Sequence, residues 1–145
     1  MVDARTNAAA NGIENCTFMA GRAEDKIRAA IEEHVPSGMS CVAVLDPPRE
    51  GCHKNVLRAI RATKEIERIV YVSCDHTRFV EQAVQLCSPG MKYGKGDAFE
   101  PVMANGIDLF PHTAHVELMV LLERGATLEK RRQSEAQAEE KAAGS

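Results

Sequence analysis

Two runs rich in valine and isoleucine constrain the fold of this chain more than any other feature. They are CVAVL (residues 41–45) and RIVYVS (residues 68–73), and each precedes a stretch with apolar residues at helical spacing. Apolar strands of this kind are typical of parallel sheets. A third run, CTFMAG (residues 16–21), precedes a helical pattern over residues 22–35. Three strand–helix units in series predict an α/β fold with a mostly parallel sheet and helices on both faces.

The helices are predicted from turn signals and apolar spacing. Residues 1–11 indicate a first helix, which Asn11 and Gly12 would end. Two further helices follow the second and third strands, and their predicted apolar stripes are Val56, Leu57 and Ile60 in one and Phe79, Val80, Ala83, Val84 and Cys87 in the other.

The C-terminal part has a different pattern. IDLF (residues 107–110) and VELMVLLE (residues 116–123) follow each other without room for a helix, which predicts an antiparallel pair whose C-terminal strand closes one edge of the sheet. Residues 125–145 are charged and almost free of large apolar side chains, so we expect a frayed helix or a disordered tail. The folded unit is therefore predicted to be residues 1–124.

Charge and cysteine usage narrow the class of protein. With 145 residues the chain is the size of one domain, and its net charge of −3 gives no overall basic field for nucleic acid, so any RNA contact must be local. The five cysteines contain no C-x-x-C, and no secretory or membrane-spanning segment is evident. This pattern favours reduced thiols in the cytoplasm or the nucleus.

Polar residues follow the predicted strands at the ends where ligands bind in open parallel sheets. They are Arg22 with Glu24, Asp46 in a rigid Asp-Pro-Pro turn, and Cys74 in the segment YVSCDH. A capping role is the simpler interpretation of Asp46. Cys74 leaves its strand among polar neighbours near a predicted helix N-terminus, which suits a nucleophilic thiol, whereas Cys16, Cys41 and Cys87 lie in apolar stretches and suggest packing.

Glu117 interrupts the otherwise apolar final strand. A charge in a strand is costly to bury unless it is paired, and catalytic carboxylates are often found in such places. His112 and His115 precede it, but the three residues lack the spacing of a zinc site and have no nearby fourth ligand. We therefore predict no metal.

Three motifs, taken in order, resemble a known family. VLDPPREG (residues 44–51), YVSC (residues 71–74) and DLFPHTAHVE (residues 108–117) are similar to motifs of the uracil-C5 methyltransferases of tRNA and ribosomal RNA, which use S-adenosylmethionine. NAAANGIENCTF (residues 7–18) and GRAED (residues 21–25) are similar to the segment just upstream. The resemblance covers about residues 2–124 and looks closest to the eukaryotic tRNA branch. It implies a partial Rossmann-like methyltransferase fold.

The resemblance also implies a role for each matching residue. Cys74 would be the nucleophile that adds to C6 of the target uracil, and Glu117 would be the base that removes the C5 proton. The implied cofactor contacts are Asp46, Arg22 and Glu24. The implied contacts to the tRNA substrate are Arg49, Phe110 and His115. A base must leave its stack to reach such a thiol, which explains a cysteine at the end of a strand.

Two departures from the family pattern stand out. The family usually has Ser-Cys-Asn-Pro, and this chain has Ser73-Cys74-Asp75-His76. The lost proline should loosen the turn, and an acid beside the thiol disfavours the thiolate unless a charged His76 offsets it. The glycine-rich cofactor loop and the acidic residue for the ribose would precede Met1. Without that first strand, residues 41–45 should have an unpaired apolar edge.

Two alternatives remain open from the sequence. A non-catalytic fragment could bind RNA or protein, or associate with itself, through the exposed sheet edge. An amino-group methylase is the other, because (Asp/Asn)-Pro-Pro-aromatic is its motif, although Arg49 stands at the aromatic position. Such an enzyme needs no cysteine nucleophile.

Overall fold

A computed structural model describes residues 2–143 of the chain. Two helices come first, α1 (Val2–Ala10) and α2 (Ala23–His34). The central part alternates strands and helices: β1 (Cys41–Leu45), α3 (Lys54–Ala62), β2 (Ile66–Ser73) and α4 (His76–Cys87). After a single 3₁₀ turn (Met91–Tyr93), the chain ends with β3 (Phe99–Ile107), β4 (Glu117–Arg124) and α5 (Gly125–Ala143).

The four strands form one mixed sheet in the order β1-β2-β4-β3. Strands β1 and β2 are parallel, whereas β4 is antiparallel to both β2 and β3. The α/β class is confirmed, but a mostly parallel sheet was wrong, because one of the three described pairings is parallel. The C-terminal strand is antiparallel as expected, yet it lies inside the sheet. The edges are β1 and β3, since β3 pairs with the outer side of β4.

Strand β3 extends over FEPVMANGI, of which only Ile107 belonged to the predicted strand. Pro101, Asn105 and Gly106 disfavour a central strand, so the sequence obscured it. An edge position accommodates such residues, and the pairing with β4 shifts register between Pro101 and Met103. The strand is therefore determined by its pairing partner and not by its own propensity.

The predicted strand at residues 16–21 was wrong. This segment belongs to no strand of the described sheet, and the Cys16 side chain is exposed instead of packed. Strand β1 accordingly forms an edge, as the sequence predicted, with Val42 and Val44 exposed by 53% and 69%. A segment with strand propensity but no neighbouring strand has no hydrogen-bond partners for its backbone groups, so it does not form a strand.

The core lies on one face of the sheet. Alternate residues of β2 and β4 point toward it, and helices α3 and α4 cover it. The predicted stripe of α3 is confirmed, because Val56, Leu57 and Ile60 are all buried. The stripe of α4 is confirmed in part, because Phe79 is buried and Ala83 and Cys87 pack against the core. Val80 and Val84 are exposed instead, while Gln82 and Leu86 are buried.

Two buried arginines join the helix ends to the strands. Arg124 donates hydrogen bonds to five backbone carbonyls, those of Ile60, Arg61, Thr63, Ile66 and Asp97. Arg61 donates to the carbonyls of Gln85, Ser88, Gly90 and Gly96. Carbonyls at helix C-terminal ends carry partial negative charge and lack intrahelical donors, so guanidinium groups fit there without a carboxylate.

Among residues 2–143, helix α5 covers the opposite face of the sheet at the β4 end. There Arg131 of α5 contacts the buried carboxylate of Glu123 at 2.9 Å, and Arg68 contacts the same oxygen at 3.1 Å. Residues 125–143 of the charged tail are helical, and the burial of Leu128 shows that the first turns of α5 pack on the domain. Coverage of both faces by helices stays a prediction.

Candidate active site

The strand register brings the two candidate catalytic residues together. Ser73, the last residue of β2, pairs with Leu118 of the antiparallel β4. Cys74 is one residue beyond Ser73, and Glu117 is one residue before Leu118. Residues opposite each other on antiparallel strands point to the same face. Cys74 and Glu117 therefore share the side of the sheet opposite the core, and both are partly exposed.

A small cavity lies between these two residues. Its volume is about 220 Å³, and it is lined by Arg49, Cys74, Phe110, His115, Val116 and Glu117. We call it the inner cavity. Its volume is below the roughly 300–1,000 Å³ of pockets for drug-sized ligands, which suits a single small ring. Five of the predicted site residues therefore line one hollow: Cys74, Glu117, Arg49, Phe110 and His115.

The turn that carries Cys74 is held by its neighbours. The Ser73 hydroxyl donates to the Asp75 carbonyl at 2.8 Å and accepts from the Asp75 backbone N–H at 3.2 Å. The Asp75 carboxylate caps α4 by accepting from the backbone N–H groups of Thr77 and Arg78. The turn without the family proline is thus fixed by side-chain hydrogen bonds, and Asp75 is engaged with the helix.

The turn that carries Arg49 is tied to α4 by a buried amide. The Gln82 side chain accepts from the Cys52 backbone N–H and donates to the Cys52 carbonyl, each at 3.0 Å. It also accepts from the Tyr71 hydroxyl. Gly51 has a φ of +78°, and a Cβ there would lie 2.0 Å from the Gln82 nitrogen. Gln82 therefore holds the Arg49 turn against the helix that follows Cys74.

The predicted cofactor residues lie elsewhere. Asp46 is exposed just after β1 and does not line the inner cavity. Arg22 is exposed before α2, and the Glu24 carboxylate lies 3.7 Å from Nδ1 of His53, the N-cap of α3. Glu24 lines a separate cleft between α2 and α3. The structure does not bring Arg22 and Glu24 together with Cys74.

The loop between β3 and β4 forms the outer wall of the site. Phe110 and His115 belong to it, and the Phe110 ring is 48% exposed. Short hydrogen-bonded turns shape the loop, in which Thr113 donates to the Phe110 carbonyl and accepts from the His115 N–H. An exposed aromatic ring beside a cavity is the type of group on which a nucleic-acid base can stack.

Sequence reasoning missed Gln82 and the position of His76. Gln82 is only 6% exposed, and a polar residue in the apolar stripe of a helix was the available signal. His76 is the first residue of α4 and lines a second cavity next to the inner one. The signal in the sequence was that a histidine stands where the family usually has proline.

The cysteines differ in their surroundings. Burial raises the pKa of Cys52 and Cys87, which pack against the core, and also that of the half-buried Cys41. Packing is thus the role of Cys41 and Cys87, as predicted, whereas Cys16 is exposed. Burial also raises the pKa of Tyr71, so its hydroxyl remains a hydrogen-bond donor to Gln82.

These shifts predict the order in which the thiols react. Only the thiolate is alkylated, and each unit of raised pKa lowers its fraction about tenfold at a given pH. At about pH 7, iodoacetamide should label Cys16 and Cys74 first, and the rates at Cys52 and Cys87 should keep rising with pH above about 9. Peptide mass mapping over time measures this. Labelling of Cys52 as fast as Cys16 at neutral pH would contradict the burial described here.

Within residues 2–143, no three His, Cys, Asp or Glu side chains are grouped to hold a metal ion. No helix in the same range is long and apolar enough to cross a membrane.

Comparison with known proteins identifies the family. No family model matches the chain. Over 122 residues it is 43% identical to tRNA (uracil-5-)-methyltransferase homolog A of Mus musculus, covering 84% of this chain and 20% of the relative. Homolog B of Danio rerio is 41% identical over 125 residues, or 84% of this chain and 26% of the relative. The chain belongs to the RNA uracil-5-methyltransferase family. The resemblance of its three motifs is thus confirmed.

A bacterial protein extends the comparison. An RNA methyltransferase of Caldanaerobacter subterraneus is 37% identical over 122 residues, covering 84% of this chain and 24% of the relative. The two animal members of the RNA uracil-5-methyltransferase family are more similar to this chain. The chain spans only about a fifth to a quarter of the length of these relatives. Activity and substrate therefore have to be argued from the site.

Proposed function

We propose that this chain carries the nucleophile and the general base of an enzyme that methylates C5 of uridine in tRNA. The observation that supports this most directly is that Cys74 and Glu117 line one cavity of about 220 Å³. Uracil C5 is a poor nucleophile, and a covalent thiol adduct divides a difficult transfer into easier steps. The names of the animal relatives, tRNA (uracil-5-)-methyltransferase homologs, support the choice of substrate.

In the proposed reaction the Cys74 sulfur forms a bond to C6 of uracil, and the electron pair of the C5–C6 double bond makes C5 nucleophilic. S-adenosylmethionine, when bound, supplies the methyl group. The carboxylate of Glu117 then takes the proton from C5, the double bond reforms, and the sulfur leaves C6 as a thiolate. The C5 proton becomes acidic in the adduct, so a carboxylate positioned beside it is a strong enough base to remove it. Arg49, Phe110 and His115 would contact the RNA.

The residues proposed for the cofactor fit it only in part. Asp46 is exposed at the carboxyl end of β1, the end of a strand at which ligands of open α/β sheets bind. Arg22 and Glu24 at the start of α2 would lie near the adenosine. The described residues thus offer part of a cofactor site, in line with the proposal that residues 1–124 are a C-terminal portion of the methyltransferase domain. Cytoplasmic or nuclear location stays a prediction.

A trapping experiment tests the proposal. The chain is incubated with S-adenosylmethionine and a tRNA transcript in which 5-fluorouridine replaces uridine. Fluorine at C5 cannot be removed as a proton, so the thiol adduct should persist on a denaturing gel. Mass mapping should locate the RNA on Cys74, and Cys74→Ala should abolish the adduct. Cys16→Ala is the matched control, since Cys16 is exposed but outside the cavity.

A chimera distinguishes an incomplete site from a wrong assignment. In it, the matching residues of the mouse relative are replaced by those of this chain. An adduct in the chimera but not in the isolated chain would mean that the rest of the relative is needed. No adduct in the chimera would refute the roles of Cys74 and Glu117. Methylation by the chimera that survives Cys74→Ala would instead favour an amino-group methylase.

The exposed edge of β1 favours a second candidate, a non-catalytic module. Strand β1 is the first strand of the described sheet and pairs with β2 alone, and such an unpaired edge can accept another strand or a second copy of the chain. Titration with S-adenosylmethionine and sedimentation distinguish the two candidates. Absent binding together with a stable dimer would favour the module over the enzyme.

A further inference from the structure

A second cavity adjoins the inner cavity and differs from it in chemistry. Its volume is about 470 Å³, and we call it the outer cavity. The two cavities share Arg49, Cys74, His115 and Val116. The outer cavity adds Asp75, His76, Thr77 and Ala114. A base held at Cys74 would therefore have its sugar and phosphate within reach of the first turn of α4.

The outer cavity collects groups that can be positively charged from three parts of the chain. Arg49 comes from the turn after β1, His76 from the first turn of α4, and His115 from the loop before β4. Asp75 is the only carboxylate in the lining, and it caps the helix at 2.9 Å from the Thr77 N–H.

Charged groups just outside the outer cavity largely neutralise one another. Arg78 forms an ion pair with Glu81 at 2.7 Å. This hydrogen bond raises the pKa of Arg78, with smaller effects from Asp75 and Glu50. Glu81 is therefore paired with Arg78, Asp75 caps the helix, and Glu117 lies in the adjoining inner cavity. The lining of the outer cavity thus holds three basic side chains and one carboxylate.

His76 itself has no partner among the described residues. It makes no hydrogen bond or ion pair there, and its ring is exposed at the N-terminal end of a 12-residue helix. A positive charge at this end of a helix is unfavourable on its own. An anion in the cavity would remove that penalty and accept a charge-assisted hydrogen bond from the imidazolium.

We propose that His76, together with Arg49 and His115, binds a phosphate group of the RNA strand beside the target nucleotide. This inference rests on the proposed function, because an RNA base at Cys74 is what brings a phosphate into the outer cavity. Contacts to phosphate fix the position of a strand without reading its sequence. His76 would thus add a contact to the RNA phosphate at the position where the family usually has proline.

NMR titration of the intact chain tests the phosphate contact directly. The probes are uridine 5′-monophosphate, inorganic phosphate and uridine. At about pH 6, the first two should shift the imidazole signals of His76 and His115, whereas uridine should leave His76 unchanged. His76→Gln should weaken the binding of uridine monophosphate about tenfold at this pH. His34→Gln, on the exposed end of α2, is the matched control and should change nothing.

A single-stranded RNA provides an independent measurement. Loss of one phosphate contact lowers the slope of log affinity against log salt by about 0.7 for single strands, so His76→Gln should show this change. An unchanged slope and unshifted His76 signals would overturn the inference. Shifts of His76 with uridine alone would also overturn it, by showing base recognition. Adduct formation at Cys74 is measured separately, so the proposed function can survive that result.

Discussion

Replacing Arg124 with methionine is expected to unfold most of the protein. The Arg124 side chain is 5% exposed, its guanidinium donates to five backbone carbonyls, and it lies 4.4 Å from the centre of the Phe99 ring. Burial lowers the pKa of Arg124, yet a guanidinium stays charged. Methionine would remove all five bonds, and although the carbonyls of Ile60 and Thr63 also accept from backbone N–H groups, each buried carbonyl left without a donor costs about 1–3 kcal/mol if no water replaces the bond.

We expect the free energy of unfolding to fall by at least about 3–5 kcal/mol, most of the stability of a small domain. Urea denaturation followed by circular dichroism measures it. Arg124→Lys should recover only part of the loss, because an ammonium has three donors for five acceptors. Arg132→Met, at an exposed position of α5, is the control and should change stability by less than about 0.5 kcal/mol. Equal stability of both methionine variants would contradict a structural role for Arg124.

Replacing Glu117 with glutamine is expected to stop the proposed reaction after methyl transfer. The amide has nearly the same shape but cannot accept the C5 proton, so the adduct with ordinary uridine should accumulate on Cys74. General bases contribute about 10²–10⁴ to a rate, and methylated product should decrease by that factor. The measurement combines a denaturing gel for the adduct with quantification of 5-methyluridine. Both measurements use the chimera with the mouse relative, because the rest of that protein supplies the segments that this chain does not match.

The double variant separates a base from a binding group. Glu117→Gln combined with Cys74→Ala should give neither adduct nor product. Glu100→Gln is the control, because Glu100 is an exposed carboxylate of β3 remote from the cavity lining. If Glu117→Gln lost both the adduct and RNA binding, the carboxylate would be a binding or structural group, and another base would be required.

Local sequence patterns predicted the elements with strong signals of their own. Strands β1 and β2 and helix α3 appeared where valine, isoleucine and leucine spacing placed them, and the motifs identified the family. Cys74 was a candidate because it leaves its strand among polar neighbours near a helix N-terminus, and Glu117 was one because a charge in an apolar strand is costly to bury unless it is paired. Such signals are read from a few neighbouring residues and need no knowledge of the rest of the chain.

Other features escaped prediction because they depend on residues far apart in sequence. Strand β3 has weak propensity and exists because β4 pairs with it, while residues 16–21 have strand propensity but no partner. The buried face of α4 includes Gln82, because the amide of this side chain forms hydrogen bonds with the backbone of Cys52, 30 residues away in the sequence. The donors of Arg124 likewise reach carbonyls up to 64 residues away.

The amino-acid sequence by itself determined the α/β class, the family and the chemical types of the candidate site. Only the tertiary structure decided the sheet order, the inward position of β4, and the meeting of Cys74, Glu117 and the outer cavity at one end of the sheet. The physical reason is the distance along the chain over which each kind of interaction acts. Helix periodicity and turn chemistry act over a few residues, whereas strand pairing and buried hydrogen bonds are selected only when distant segments meet and must satisfy each other's polar groups.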